Sequence, residues 1–198
     1  MTESSKDERV KQQILEAALG LFAKWGLFKT TMEDIAKAAG KGKSTLYYYF
    51  KSKDEIFFDL AISEFGAIFA KAQAAIAEQS TAEDKLREYV LCMVEEVQHR
   101  ETVYQVIFAE LPSIETIMTR LREEFDAKEQ NVIQGILKEG INSGELKPHN
   151  PQGISDLSHL MLVSFKAYLF EHTTKVDMNG ARKMFDLAIS VFMNGLRK

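Results

Sequence analysis

Residues 30–50, TTMEDIAKAAGKGKSTLYYYF, decide the fold of this 198-residue chain. Thr31 is suited to cap a short helix, because its hydroxyl can accept a hydrogen bond from a free backbone amide. Gly40 supplies a tight turn, and Leu46 and Phe50 are the inward apolar positions of a second short helix. Two short helices joined by a glycine turn predict a helix-turn-helix.

The second of these helices leaves most of its polar groups for solvent or for a partner. These residues are Lys43, Ser44, Thr45, Tyr47, Tyr48 and Tyr49. Three consecutive tyrosines cannot all be buried on so short a helix. Hydroxyl and ammonium groups suit phosphate oxygens and base edges, so the pattern predicts a DNA-recognition helix.

The charge distribution permits this even though the chain carries a net charge of -4. Residues 1–53 hold ten Lys and Arg against six Asp and Glu, and the surplus is greatest between Lys24 and Lys53. A local basic patch attracts phosphates whatever the sign of the rest of the protein. Such a patch is also typical of an ordinary solvated helix face, so charge alone decides nothing.

The rest of the chain is predicted to be helical. Apolar residues at spacings of three and four predict a first helix that Gly26 ends, and Pro112, Pro148 and Pro151 lie where helices break or begin. Further helices are expected over about residues 53–79, 82–100, a short stretch reaching 110, 113–142, 151–173 and 178–197. The sequence therefore predicts an all-α protein of about nine helices.

Residues 10–60 resemble the DNA-binding domain of the tetracycline-repressor (TetR) family. The matching features are Thr30-Thr31, Asp34-Ile35-Ala36, Ala39-Gly40, Lys43, Thr45-Leu46-Tyr47, Phe50 and Ser52-Lys53-Asp54-Glu55. The resemblance implies a three-helix helix-turn-helix domain over residues 1–53 and a helical ligand-binding and dimerisation domain over residues 54–198. The chain departs from the family pattern at Lys41 and Gly42, where the family usually has an apolar residue and a capping Ser or Thr.

From the family pattern, DNA contacts are expected at eight positions: Thr31, Lys43, Ser44, Thr45, Tyr47, Tyr48, Tyr49 and Lys53. Tyr47, Tyr49 and Lys53 are expected mainly at phosphates. Lys43, Ser44, Thr45 and Tyr48 are expected at base edges.

The resemblance further implies a ligand cavity and a homodimer. Apolar, aromatic and polar candidates for the cavity are Met93, His99, Tyr104, Gln105, Phe108, Met161, Phe165 and Tyr168. A plain hydrophobic core is the alternative interpretation of these residues. The broad apolar faces of the last two helices predict a dimer interface that includes Leu157, Met161, Ser164, Phe185, Ile189 and Phe192.

The function expected is that of a ligand-responsive repressor, released from a double-stranded DNA operator by a small-molecule inducer; activation remains an alternative. A small helical ligand-binding protein or enzyme with an incidental basic N-terminus is the other alternative. Gly42-Lys43-Ser44 imitates a phosphate-binding loop, but the glycine needed five positions earlier is Lys37. Glu96 and His99 form a single Glu-x-x-His pair where a di-iron bundle needs two.

No catalytic residue, metal or cofactor is expected. The chain contains no run of eighteen apolar residues and only one cysteine, Cys92. These features predict a cytoplasmic protein with no membrane partner.

Overall fold

The computed structural model describes residues 3–99, 115–171 and 177–197. These residues form eight helices, with an isolated antiparallel bridge between Leu146 and Arg197. The helices are α1 (Glu3–Lys29), α2 (Met32–Ala38), α3 (Lys43–Tyr49), α4 (Lys53–Ala77), α5 (Ala82–His99), α6 (Glu115–Asn142), α7 (Pro151–Glu171) and α8 (Met178–Leu196). The all-α prediction is confirmed, and the short helix expected to reach residue 110 lies outside the described residues.

The described chain falls into two compact units. One contains the residues up to Phe65 and the segment that ends at Leu121; the other contains Gly66–His99 and the chain from Arg122 onward. The first unit holds α1 to α3 and the beginning of α4. The domain boundary expected after residue 53 stays a prediction.

Helix α1 is interrupted where the sequence predicts a stop. Gly26 has φ 80° and ψ 165°, a backbone conformation that favours glycine. The carbonyl oxygen of Gly26 accepts a 2.7 Å hydrogen bond from the hydroxyl of Thr30, which is fully buried. The chain is thereby turned from α1 toward α2, with Ile14, Ala18 and Phe22 buried on the inner face of α1.

In the second unit, α5 begins beside the end of α6. Glu145, in the loop after α6, accepts hydrogen bonds from the backbone amides of Ala82 (2.8 Å) and Glu83 (3.3 Å). A carboxylate at a helix N-terminus satisfies amides that have no partner within the helix. Gly140 faces the same place: a Cβ added there would lie 2.8 Å from both Ala82 Cβ and Leu146 Cδ1. The close approach of these segments therefore requires glycine.

Within the described residues, α4 is long and apolar enough to cross a membrane by length and composition alone. In the structure Ile56, Phe57, Leu60 and Ile68 of this helix are buried. The Phe57 ring meets the Phe22 ring edge to face, at 5.7 Å between centroids. This contact fixes the start of α4 against α1.

Candidate nucleic-acid interface

The first helix of the predicted helix-turn-helix begins with a reciprocal cap. Thr31 Oγ1 accepts a 3.2 Å hydrogen bond from the Asp34 amide, and Asp34 Oδ2 accepts one from the Thr31 amide at 3.0 Å. The Thr31 hydroxyl also donates to Asp34 Oδ2, and these hydrogen bonds hold the pKa of Asp34 below its ordinary value. This capping box confirms that Thr31 starts α2.

The turn between α2 and α3 is a Schellman motif. The Gly40 amide donates to the Lys37 carbonyl oxygen at 3.2 Å, and the Lys41 amide donates to the Ala36 carbonyl oxygen at 2.9 Å. Gly40 has φ 63°, which glycine adopts without the penalty of a side chain. Lys41 thus occupies the position that often packs an apolar side chain on the helix end, and it is half-buried there.

Gly42 is the N-cap of α3 and provides no side-chain hydrogen bond. Its φ of -70° and ψ of 152° are accessible to any residue. A Cβ added there would meet Ser44 Oγ and Thr45 Oγ1 at 3.9 Å, an ordinary van der Waals distance. The departure from the family pattern at this residue therefore costs one cap hydrogen bond and imposes no strain.

Helix α3 buries one residue and presents the others outward. Leu46 is fully buried, whereas Tyr47 is 45% exposed and Tyr48 is 78% exposed. The Tyr48 and Tyr49 rings meet edge to face, with centroids 4.9 Å apart. Lys43 and Ser44 are exposed, and Thr45 is half-exposed. Tyr48 therefore contributes little to the core and is accessible to a partner outside the subunit.

Lys53 has a structural role that the sequence does not reveal. Its Nζ donates hydrogen bonds to the carbonyl oxygens of Leu27 (2.8 Å), Phe28 (2.8 Å) and Thr30 (3.0 Å). The ammonium group also lies 5.7 Å from the centroid of the Phe28 ring. An ammonium group has three donors, and three carbonyl oxygens at the end of α1 accept from it. Lys53 thus ties the start of α4 to the segment before α2.

An open depression of about 570 Å³ lies beside Lys53 and its hydrogen bonds. Its lining brings together the predicted contact residues Thr31, Tyr47 and Lys53 with Lys51. The backbone amide of Lys51 donates to Glu55 at 2.7 Å, and the Lys51 side chain is exposed to solvent. The Tyr47 hydroxyl and the Lys51 ammonium group beside this depression suit a phosphate of a DNA backbone.

The side chains of the first and last residues of α3, Lys43 and Tyr49, each contact a carboxylate from another helix. Lys43 forms an ion pair with Glu33 of α2, and this hydrogen-bonded pairing raises the pKa of Lys43. The Tyr49 hydroxyl donates a 2.6 Å hydrogen bond to Asp7 Oδ1 of α1, which raises the pKa of Tyr49 to about 12. Sequence reasoning missed both acids, because contacts across ten and 42 residues leave no local signal.

Comparison with known proteins agrees with this geometry. The sequence profile of the tetR family of bacterial regulatory proteins matches residues 14–60. The "Fatty acid metabolism regulator protein" of Bacillus subtilis (strain 168) is 31% identical over 143 residues, covering 72% of this chain and 74% of the relative. The "HTH-type transcriptional repressor KstR2" of Mycolicibacterium smegmatis is 27% identical over 144 residues, covering 70% and 68%.

The chain belongs to the TetR family. It is a ligand-responsive, DNA-binding transcription regulator. A solved structure supports the fold over nearly the whole chain: the transcriptional regulator FadR from Bacillus subtilis in complex with stearoyl-CoA has a TM-score of 0.70 at 22% identity. The match covers 94% of this chain and 99% of that one.

The ligand-binding residues predicted for this TetR-family regulator are only partly described. Met93 and Phe165 are buried, and Met161 and Tyr168 are half-buried. The Phe185 ring lies edge to face with those of Phe165 (5.6 Å between centroids) and Tyr168 (4.8 Å). The side chain of His99, and Tyr104, Gln105 and Phe108, lie outside the described residues. The assignment of all eight to a cavity stays a prediction.

A groove of about 630 Å³ between α4, α5 and α6 was not foreseen. It is lined by Phe69, Gln73, Ile76, Ala77, Lys85, Lys128, Asn131, Val132, Gly135, Ile136 and Glu139. Lys85 is ion-paired with Glu139, and Lys128 with Glu124. The groove thus combines an apolar floor with two ammonium groups that are already paired with carboxylates, and one of these carboxylates, that of Glu139, also lines it. The apolar character of α4 was visible in the sequence, but its pairing with α6 was not.

A polar cluster is buried in the same unit. Glu129 is buried and ion-paired with Lys166, which also pairs with Asp126. Burial raises the pKa of Glu129 and outweighs the opposing effect of Lys166. The Tyr89 hydroxyl is fully buried and has no hydrogen-bond partner in the part of the chain that the structure describes. Burial also raises the pKa of Tyr89.

The residues predicted for the dimer interface occupy different environments. Phe185 and Ile189 are buried within the subunit, Leu157, Met161 and Phe192 are half-buried, and Ser164 is exposed. The exposed large apolar residues of the same helices are Leu160, Val163, Met184, Leu187 and Val191. The predicted interface is untested by the single subunit, and its two most buried members serve the subunit's own core.

Proposed function

We propose that this TetR-family regulator is a repressor whose α3 binds an operator in the major groove. The observation that carries the proposal is the exposure of Tyr48 on a helix held in place by the buried Leu46 and by the Schellman turn at Gly40. Thr31, Ser44, Thr45, Tyr47 and Lys43 would join Tyr48 in the interface. Tyr49 would reach a phosphate, and Lys53, whose three donors serve backbone carbonyl oxygens, would hold the surface in place.

Quantitative footprinting upstream of the protein's own gene tests this assignment. Tyr48→Ala and Lys43→Ala should each weaken sequence-specific protection, whereas Lys183→Ala on the exposed face of α8 serves as the matched control. Repression predicts that reporter output rises when the gene for the regulator is deleted. A fall in output would instead indicate activation.

We further propose that the inducer has a long acyl chain attached to an anionic head. The apolar floor of the groove, with Phe69, Ile76, Val132 and Ile136, suits the chain. An anionic head would displace Glu139 and Glu124 from the ammonium groups of Lys85 and Lys128. The volume of about 630 Å³ lies in the range of ordinary ligand pockets. The name of the Bacillus subtilis relative and the stearoyl-CoA held by the structural neighbour support this class.

Release of operator DNA by stearoyl-CoA tests the ligand class, with coenzyme A alone as the control. A ligand lowers DNA affinity only by its differential affinity for the two forms of the protein. Val132→Asp should reduce the response, because a carboxylate on the apolar floor opposes burial of the acyl chain. Ala127→Asp, at an exposed residue of α6 outside the lining, is the matched control. A response lost in Met161→Asp but kept in Val132→Asp would favour the cavity predicted around Met93 and Phe165.

We also propose a homodimer, because two recognition helices are needed for a two-fold operator. The exposed apolar residues of α7 and α8, notably Leu160, Leu187 and Val191, support an interface between copies. Leu187→Glu combined with Val191→Glu should give monomers in sedimentation analysis. Lys138→Glu, at an exposed residue of α6, should leave the dimer intact.

The division into a DNA-binding domain over residues 1–53 and a ligand-binding and dimerisation domain over residues 54–198 remains part of this proposal. A cytoplasmic location follows from access to the chromosome. Binding, without catalysis, is the activity proposed. The alternative of an enzyme with an incidental basic N-terminus would require DNA affinity that is insensitive to substitutions in α3.

A further inference from the structure

The hydroxyl of Tyr49 and the ammonium group of Lys43 point away from the core, yet neither is simply solvated. Each meets a carboxylate that comes from another helix: Asp7 Oδ1 at 2.6 Å from the Tyr49 hydroxyl, and Glu33 in an ion pair with Lys43. A carboxylate oxygen and a phosphate oxygen accept the same hydrogen bonds and carry the same sign of charge. The acids therefore occupy the groups that DNA would use.

We propose that Asp7 and Glu33 set the DNA affinity of the protein by competing with phosphates for Tyr49 and Lys43. This rests on the proposed role of α3 as the recognition helix. DNA must displace each carboxylate before it can accept from Tyr49 or pair with Lys43. The displaced carboxylate then stays close to the DNA backbone, and like charges repel.

Both carboxylate contacts are weak enough for DNA to displace and strong enough to lower the DNA affinity. Lys43 and Glu33 have side chains that are 58% and 69% exposed, so their pairing is weak and easily exchanged. The Tyr49 hydroxyl is a neutral donor, and a hydrogen bond to a charged acceptor is stronger than one to a neutral acceptor. Replacing the carboxylate by a DNA phosphate as the acceptor therefore changes the free energy little. The repulsion between the displaced carboxylate and the phosphate then sets the DNA affinity.

The size of the effect follows from general magnitudes. A carboxylate about 8 Å from a phosphate in water weakens binding by about twofold, and a competing hydrogen bond raises this to as much as about tenfold. Neutralising Asp7 or Glu33 should therefore raise DNA affinity by about two- to tenfold. In addition, loss of Glu33 frees an ammonium group for a phosphate, which should steepen the salt dependence by up to about 0.9 in log–log slope.

Fluorescence anisotropy with a short mixed-sequence duplex tests the proposal, because phosphate contacts supply nearly all of non-specific binding. The variants are Asp7→Asn, which keeps an acceptor oxygen without the charge, Asp7→Ala, and Glu33→Gln. Glu8→Gln is the matched control, since Glu8 is an exposed acid next to Asp7 on α1. Thermal unfolding of each variant checks that α1 and α2 remain folded.

The expected result is tighter binding by all three variants than by Glu8→Gln, with the steeper salt dependence in Glu33→Gln. In a Tyr49→Phe background, Asp7→Asn should lose most of its advantage over Glu8→Gln, because the shared hydroxyl is gone. An increase in DNA affinity no larger than that of Glu8→Gln would overturn the proposal. Weaker DNA binding by Asp7→Ala would also overturn it, because it would show that Asp7 positions Tyr49 for DNA. Failure of the wild-type protein to bind the duplex at low salt would contradict DNA binding through α3 itself.

Discussion

Lys53 Nζ donates a 2.8 Å hydrogen bond to the carbonyl oxygen of Leu27, which lies 26 residues earlier in the chain. The same ammonium group also serves the carbonyl oxygens of Phe28 and Thr30. These carbonyl groups follow the break in α1 at Gly26 and have no helical amide to accept from. Lys53 is therefore part of the framework that holds α3, in addition to its predicted place at a phosphate.

Substitution of Lys53 should accordingly reduce stability as well as DNA affinity. Lys53→Met keeps much of the apolar stem but removes three donors, and we expect the free energy of unfolding to fall by about 1–3 kcal/mol. Urea unfolding measures this change, with Lys51→Met as the exposed control. Equal stability of the two variants would contradict the structural role.

Two glycines on α6 should respond to alanine in opposite directions. Gly140→Ala places a Cβ 2.8 Å from Ala82 Cβ, which belongs to a helix start that cannot yield freely. We expect a loss of about 1–3 kcal/mol from overpacking. Gly135→Ala meets no described atom within 4 Å and should raise stability by about 0.5–1 kcal/mol. Thermal unfolding of both variants checks the pair, and a loss in each would contradict it.

Removal of the buried Tyr89 hydroxyl should not harm the fold. A buried polar group without a partner carries a desolvation penalty of about 1–3 kcal/mol. Tyr89→Phe is therefore expected to raise the free energy of unfolding by about 1 kcal/mol. Urea unfolding measures this, and Tyr89→Leu, which leaves a cavity, is the control that should destabilise. A marked loss in Tyr89→Phe would reveal a partner of the hydroxyl.

Glu129 should make stability depend on pH in a specific direction. Because burial raises its pKa in the folded state, the proton is bound more tightly there than in the unfolded chain. The stabilising contribution is complete below the ordinary pKa of 4.5 and is lost as pH rises through the folded value. Glu129→Gln should therefore gain stability relative to the wild type as pH rises above 4.5. A constant difference across this range of pH would contradict the shift.

Local chemistry made the DNA-binding unit predictable from sequence. Thr31 caps α2, Gly40 has the positive φ that its turn requires, and Leu46 is buried, all as the residue types indicate. Contacts between segments that are distant in the chain could not be predicted from the sequence. Asp7 with Tyr49 and Lys53 with Leu27 are pairings that only the folded chain brings together.

The second unit was less predictable for a related physical reason. Apolar periodicity shows that a helix has a buried face, but not whether that face meets its own subunit, a ligand or a second copy. Phe185 and Ile189 have the spacing expected of a dimer face and are buried within the subunit, whereas Leu187 and Val191 on the same helix are exposed. The groove lined by Lys85 and Lys128 likewise requires three helices to be placed together.

The central claim is that α3 reads operator DNA, and Tyr48 tests it most directly, since this side chain is 78% exposed and its loss should leave the fold intact. The measurement is footprinting of the region upstream of the gene with wild-type protein and Tyr48→Ala at matched stability. We predict sequence-specific protection by the wild type and a loss of that protection, with residual non-specific binding, in the variant. Unchanged protection by Tyr48→Ala, or none by the wild type, would contradict the claim.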